Sequence, residues 1–191
     1  MKIDRRATLL GLLAATPAFA QQADFGRRVA LGAEARTRRP ELYDPAYRSI
    51  AYPMGDVADD RGVCADTVVR AFRAADVDLQ QLVHRDMRAA FAAYPKIWGL
   101  NRPDTNIDHR RVPNLETFFT RKGASLGRQV DVAMLQPGDV ISWRIPVPHI
   151  GVVSTQRARG RPLMVHNVGA GSRLEDVLFE WPVQGWFRYG A

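Results

Sequence analysis

The 191-residue chain contains one cysteine, Cys64, so no disulfide can form within it. It also lacks a long hydrophobic run. The apolar stretch "ATLLGLLAA", Ala7 to Ala15, falls short of the roughly 20 residues that cross a bilayer, and no later segment is long enough. No Gly-x-Ser-x-Gly occurs, which leaves a serine nucleophile without support. No HExxH helix or cysteine cluster supports zinc. "DTNID", Asp104 to Asp108, imitates the start of a calcium loop, but His109 stands where the loop needs Gly and Leu115 where it needs Glu. There is no internal repeat and no low-complexity tract. No cofactor or metal is therefore expected. The net charge of +7 is spread over scattered arginines, with small clusters at Arg36, Arg38, Arg39 and at Arg157, Arg159, Arg161. No aromatic platform interleaves them, which argues against nucleic acid as a partner.

What is present begins with Met1 to Ala20, which reads as a secretory signal. It has a basic start (Lys2, Arg5, Arg6), the apolar run, and a small-residue site at Ala18-Phe19-Ala20. The pair Arg5-Arg6 suits a twin-arginine exporter as well as an ordinary basic start. Cleavage near Ala20 is expected to leave 171 residues with a charge of +5, in the periplasm or outside the cell. That length fits one domain, with residues 21–46 as a helical and loop lead-in and 47–191 as the main body. A basic protein in that compartment meets anionic envelope polymers. A single unpaired thiol in an oxidising compartment points to intermolecular pairing or to a reactive group.

Two textures follow one another along the chain. Phe25, Val29, Leu31 and Ala35 form a weak helical stripe between Asp24 and Arg39. Thr37 to Gly62 reads as a loop with a short extended piece near Ile50 to Tyr52. Val68, Val69, Phe72 and Ala75 mark one face of a helix from Cys64 to Ala75. Leu79, Leu82, Val83, Met87, Phe91 and Tyr94 predict a second helix over 79–94, stopped by Pro95. A third is expected from Asn114 to near Gly123. The second half changes to strand periodicity, with strands expected over 139–145, 149–155, 163–168, 176–181 and 186–189. Helices followed by strands indicate an α+β domain with an antiparallel sheet.

The chemistry centres on Cys64. At a helix start, unpaired backbone N–H groups and the positive dipole end stabilise a thiolate and lower the cysteine pKa from about 8.5. The same groups can hold an oxyanion. His149 and His166 fall on adjacent strands, in a register that places them side by side facing the Cys64 helix, one as base and one as its orienter. Asn167 points the other way. Asp139, after Pro-Gly, reads as a turn former. His84 reads as a surface residue, and the polar run from Arg102 to Arg111 as a structural network.

"GVCADTVVRAF", "QPGDVISW", "PHIGVVS" and "LMVHNVG" occur in the same order as the corresponding segments of the NlpC-type cell-wall hydrolases, which are papain-like cysteine peptidases. "GDVADDRGVCADTVVRAF", "DLQQLVHRDM", "YPKIWGLNRPDTNIDHRRVPNLETFF" and "EDVLFEW" resemble more closely the bacterial domain-of-unknown-function family numbered 1287, a relative of that superfamily. The resemblance covers about Tyr47 to Tyr189. It implies a papain-like fold with the cysteine helix packed on the sheet, Cys64 as nucleophile, His149 as base and His166 as third polar member. Tyr52 would parallel a tyrosine lining the oxyanion site, with Ala65 and Asp66 as further oxyanion or substrate candidates. Superfamily members place Asp before the cysteine and Ser-Gly after it; here Val63, Ala65 and Asp66 stand there, so peptide-stem specificity does not carry over. The insertion over 76–128 is expected to build a different substrate wall.

The resulting expectation is an exported thiol hydrolase acting on an amide bond of peptidoglycan or of an envelope peptide. Acyl transfer to an amine or hydroxyl is an alternative, as is a silent module that binds cell-wall polymer. The sequence contains no signal for oligomeric state.

Overall fold

Strand alternation divides the molecule into two cores on either side of one sheet. The computed structural model describes residues 17–190. Residues 1–16 of the expected signal lie outside the described residues, and the expected cleavage point after Ala20 falls within the first helix. The elements are α1 (Pro17–Arg36), β1 (Leu42–Tyr43), β2 (Arg61–Gly62), α2 (Cys64–Arg73), α3 (Leu79–Ala90), α4 (Val112–Arg121), β3 (Ser125–Gly127), β4 (Val140–Arg144), β5 (Pro148–Ala158), β6 (Arg161–His166), β7 (Arg173–Glu175) and β8 (Val183–Phe187). Strands β3 to β8 form a sheet in the order β3-β8-β4-β5-β6-β7, antiparallel throughout, while β1 and β2 pair in parallel.

On one face Val140, Ile150, Val152 and Val165 pack against the helical layer, which supplies Phe25, Val29, Val68, Phe72, Leu115 and Phe119. On the other face Ile141, Trp143, Val153, Met164 and Trp186 are covered by Leu135 and Leu178 from loops. Period-two alternation along β4 and β5 produces this division. Buried polar ties join the layers. Glu34 of α1 accepts from the Ser154 hydroxyl at 2.6 Å and the Thr155 amide at 2.8 Å. Asp139 accepts from the Gln136 amide, Trp186 Nε1 and Arg188 at 2.7–3.0 Å, closing the Pro-Gly turn against β8.

Several boundaries differ from expectation for identifiable reasons. α3 ends at Ala90 and passes into a 3-10 turn over Phe91–Ala93, because Tyr94 is extended ahead of Pro95. α4 starts at Val112, with Pro113 in its first turn. The extended piece expected near Ile50 to Tyr52 does not form; the chain is irregular at Ile50 and Ala51 and turns over residues 52–54. Its backbone groups pair with a side chain: the Gly55 amide donates to Gln80 Oε1 at 2.9 Å and Gln80 Nε2 donates to the Ala51 carbonyl at 2.9 Å. The strand expected over 176–181 is a turn as well, since its apolar residues plug the second core while β7 forms earlier. No helix among the described residues is long and apolar enough to cross a membrane.

Candidate active site

α2 begins at Cys64, and its first turn is held from within. The Asp66 carboxylate accepts the Val63 amide at 2.7 Å and forms a two-point ion pair with Arg110, at 2.8 and 2.9 Å. Both side chains are at most 3% exposed. Asp66, expected to be an oxyanion or substrate contact, therefore has both oxygens committed to structure. Ala65 is fully buried, and its amide, not its side chain, faces the sulfur. Gly62 lies in extended β2, and close approach explains it: a Cβ there would meet Glu41 Oε1 at 2.6 Å and Arg70 Nη1 at 3.1 Å.

Cys64 opens onto a cleft of about 690 Å³, which Tyr43, Tyr47, Trp98, Arg111 and Pro148 also line. The guanidinium of Arg111 lies 4.1 Å over the Trp98 ring. Much of this wall comes from the 76–128 insertion. Tyr52 is elsewhere. Its ring packs edge-on against His84, with centroids 5.1 Å apart, and this half-buries His84, which was expected at the surface. The tyrosine beside Cys64 is Tyr43, brought there by the β1–β2 pairing that the loop reading of 37–62 missed.

His149 and His166 meet as their register requires. Gly151 stands directly opposite His166, so His149 is its diagonal neighbour, and His149 Nε2 lies 3.0 Å from His166 Nδ1. His166 Nε2 continues to Glu175 Oε2 at 2.9 Å. Glu175 escaped notice because β7 was expected three residues later in the chain. The face differs from expectation. The imidazoles leave the sheet on the side opposite α2: Trp143 stacks on His149 with centroids 5.6 Å apart, and Trp181 meets both rings edge-on. Cys64 instead rests on the helical side against the Ile150 amide, one residue along β5 from His149. No hydrogen bond joins Cys64 and His149 among the described residues.

Burial sets the protonation states. It pushes the Cys64 thiol up to about 12, with Asp66 adding repulsion, against the opposing pull of the Ile150, Ala65 and Cys64 amides. The thiolate expected from the helix start is thus not the resting form. Burial, helped by His166, brings His149 down to about 4. His166 is also lowered by burial, and Glu175 works against that shift. At neutral pH the resting pair is a thiol and an uncharged imidazole.

Gly151 makes the imidazole contact sterically feasible. A Cβ there would come within 2.8 Å of the Val165 carbonyl, 3.0 Å of His166 Cβ and 3.2 Å of Trp143. Gly151→Ala should cost about 1–3 kcal/mol as overpacking. Chemical denaturation checks this, and a loss within error of zero would show that the site relaxes freely.

The chain compares as follows with known proteins. YijF, an uncharacterised protein of Escherichia coli K12, is 51% identical over 171 residues, covering 88% of this chain and 83% of that one. An N-acetylmuramoyl-L-alanine amidase from Bacteroides uniformis is similar in structure, with a TM-score of 0.57 at 12% identity, over 88% of this chain and 100% of that one. NlpC1 from Trichomonas vaginalis matches with a TM-score of 0.45 at 16% identity, over 86% of this chain and 44% of that one. The fold, a cysteine helix packed on an antiparallel sheet, is the one found in the Bacteroides uniformis amidase. Residues 30–189 match the model of the family described as Domain of unknown function (DUF1287), and together with the 51% identity to YijF this makes the chain a member of that family.

Proposed function

We propose that this protein is an exported cysteine hydrolase that cleaves an amide bond in peptidoglycan or in an envelope-attached peptide. The observation that carries the reading is the cleft that has Cys64 at the start of α2 and Pro148, the residue before His149, in a single lining. A fold shared with a protein named an N-acetylmuramoyl-L-alanine amidase, and the signal-like N-terminus, support the substrate class and the compartment.

In this reading Cys64 Sγ attacks the amide carbon as its proton passes to His149. The tetrahedral oxyanion faces the N–H groups at the start of α2. Collapse expels the amine, which takes the proton from His149. Water then attacks the acyl-enzyme, giving a proton to His149, and that proton returns to sulfur as the acid leaves. Because the resting thiol is protonated, proton transfer accompanies attack, and since no hydrogen bond joins sulfur and imidazole among the described residues, the transfer requires a rearrangement at the head of β5.

The protonated, 4% exposed thiol and the missing thiol–imidazole hydrogen bond favour one other reading, a silent module that binds cell-wall polymer. Purified sacculi incubated with wild type and Cys64→Ala, followed by mass analysis of released fragments, separate the two. Hydrolysis by wild type and its loss in Cys64→Ala are expected. Binding of both forms without release of fragments would establish the silent module.

A further inference from the structure

The imidazole pair ends on a carboxylate, Glu175, which opens the segment "EDVLFEW" but to which the sequence reading assigns no role. Glu175 and Met164 are directly paired across β6 and β7, so Glu175 shares the His166 face and reaches that ring diagonally, as His149 does from the other side. The result is one line of contacts across three strands, His149 Nε2 to His166 Nδ1 at 3.0 Å and His166 Nε2 to Glu175 Oε2 at 2.9 Å. Among the described residues no other hydrogen bond reaches these ring nitrogens. Trp143 Nε1 is already spent on the Leu178 carbonyl at 3.0 Å, and Trp181 presents only its ring. Both imidazoles are at most 2% exposed, which shields their mutual contact from bulk water.

We propose that Glu175 is a positioning residue that sets the tautomers of both histidines. An ionised carboxylate only accepts, so His166 must carry its proton on Nε2. His166 Nδ1 is then a lone pair, and His149 must in turn donate from Nε2. His149 Nδ1 is left bare, the one ring nitrogen of the pair free to receive a proton. The opposite arrangement, with His149 protonated on Nδ1, would leave no base for any chemistry at Cys64. The assignment of tautomers stands on hydrogen-bond chemistry alone, while its catalytic consequence rests on the hydrolase reading.

Long-range proton–nitrogen NMR on imidazole-labelled protein at pH 7.5 tests it without requiring activity. Wild type should show His149 and His166 each as a single Nε2–H tautomer. In Glu175→Ala both rings should show mixed tautomers, while Glu175→Gln, which keeps an accepting oxygen, should retain the single tautomer at His166. Glu175 lies on an edge strand with its side chain 39% exposed, and an unchanged amide spectrum verifies that each variant folds. Unchanged tautomers in Glu175→Ala would overturn the proposal. If sacculi are hydrolysed, the Ala variant should lower kcat on the order of 10-fold with KM unchanged. Tautomer mixing in a protein that hydrolyses nothing would sink the hydrolase reading and leave this assignment intact; Cys64-dependent hydrolysis with unchanged tautomers would do the reverse.

Discussion

Asp66→Ala should lower the unfolding free energy by roughly 3–5 kcal/mol, as expected when one partner of a buried ion pair is removed. The Arg110 side chain is 2% exposed and would keep its charge with no carboxylate in contact, Asp56 and Asp44 acting on it only from a distance. Its remaining acceptors, the carbonyls of Asp44 and Ala46, do not neutralise a guanidinium. The Val63 amide at the head of α2 would also lose its acceptor, in the helix turn that carries Cys64. Urea denaturation measures the effect. The double variant Asp66→Leu/Arg110→Met should be much closer to wild type, since neither charge is then stranded. A loss below about 1 kcal/mol in Asp66→Ala would mean that the pair is solvated or that the turn rearranges.

Acidification should destabilise the protein well above the range in which carboxylates titrate. Burial holds His109 down to about 3, with Arg73 and Arg110 contributing, and His149 down to about 4. His166 shifts in the same direction. Between the unfolded pKa of about 6.5 and these folded values, the unfolded chain binds protons that the folded chain refuses, so stability falls as pH falls. At pH 5 each strongly shifted histidine loses on the order of 2 kcal/mol, about 4 kcal/mol for His109 and His149 together. Asp44 and Asp86, held at about 2, lose their contribution only as pH drops from about 4 toward 2. Asp108, raised by burial, opposes the histidine trend near its own titration. Denaturation curves at pH 7.5, 6 and 5 should therefore show a steady loss, reduced by about one histidine's share in His109→Gln. A flat response over that range would show that the histidines are accessible to protons in the folded state.

The sequence presents Asp66 and His109 very differently. Asp66 is adjacent in sequence to the cysteine helix start and invites a role in substrate contact, yet its partner lies 44 positions away, in a run that reads only as polar. His109 carries no periodic signal at all. Its burial follows from the packing of α2, α3 and α4 around the 3-10 turn over Asp108–Arg110. Local pattern informs about neighbours three or four residues away on a helix and two away on a strand. Ion pairs and burial depend on residues that only folding brings close.

The sequence by itself determined the helix that starts at Cys64, the α+β order, the Pro-Gly turn into β4, the antiparallel β5–β6 pair and the meeting of His149 with His166. Each of these follows from apolar periodicity or from a turn residue acting over a short span. Tertiary structure alone decided that the imidazoles occupy the face opposite α2, that Tyr43 and not Tyr52 stands at the cleft, and that Glu175 completes the histidine line. It also reversed the expected charge of the thiol. A helix start favours thiolate through a few amide dipoles, whereas desolvation sums over every atom that excludes water from the sulfur, and in this fold the second effect is larger.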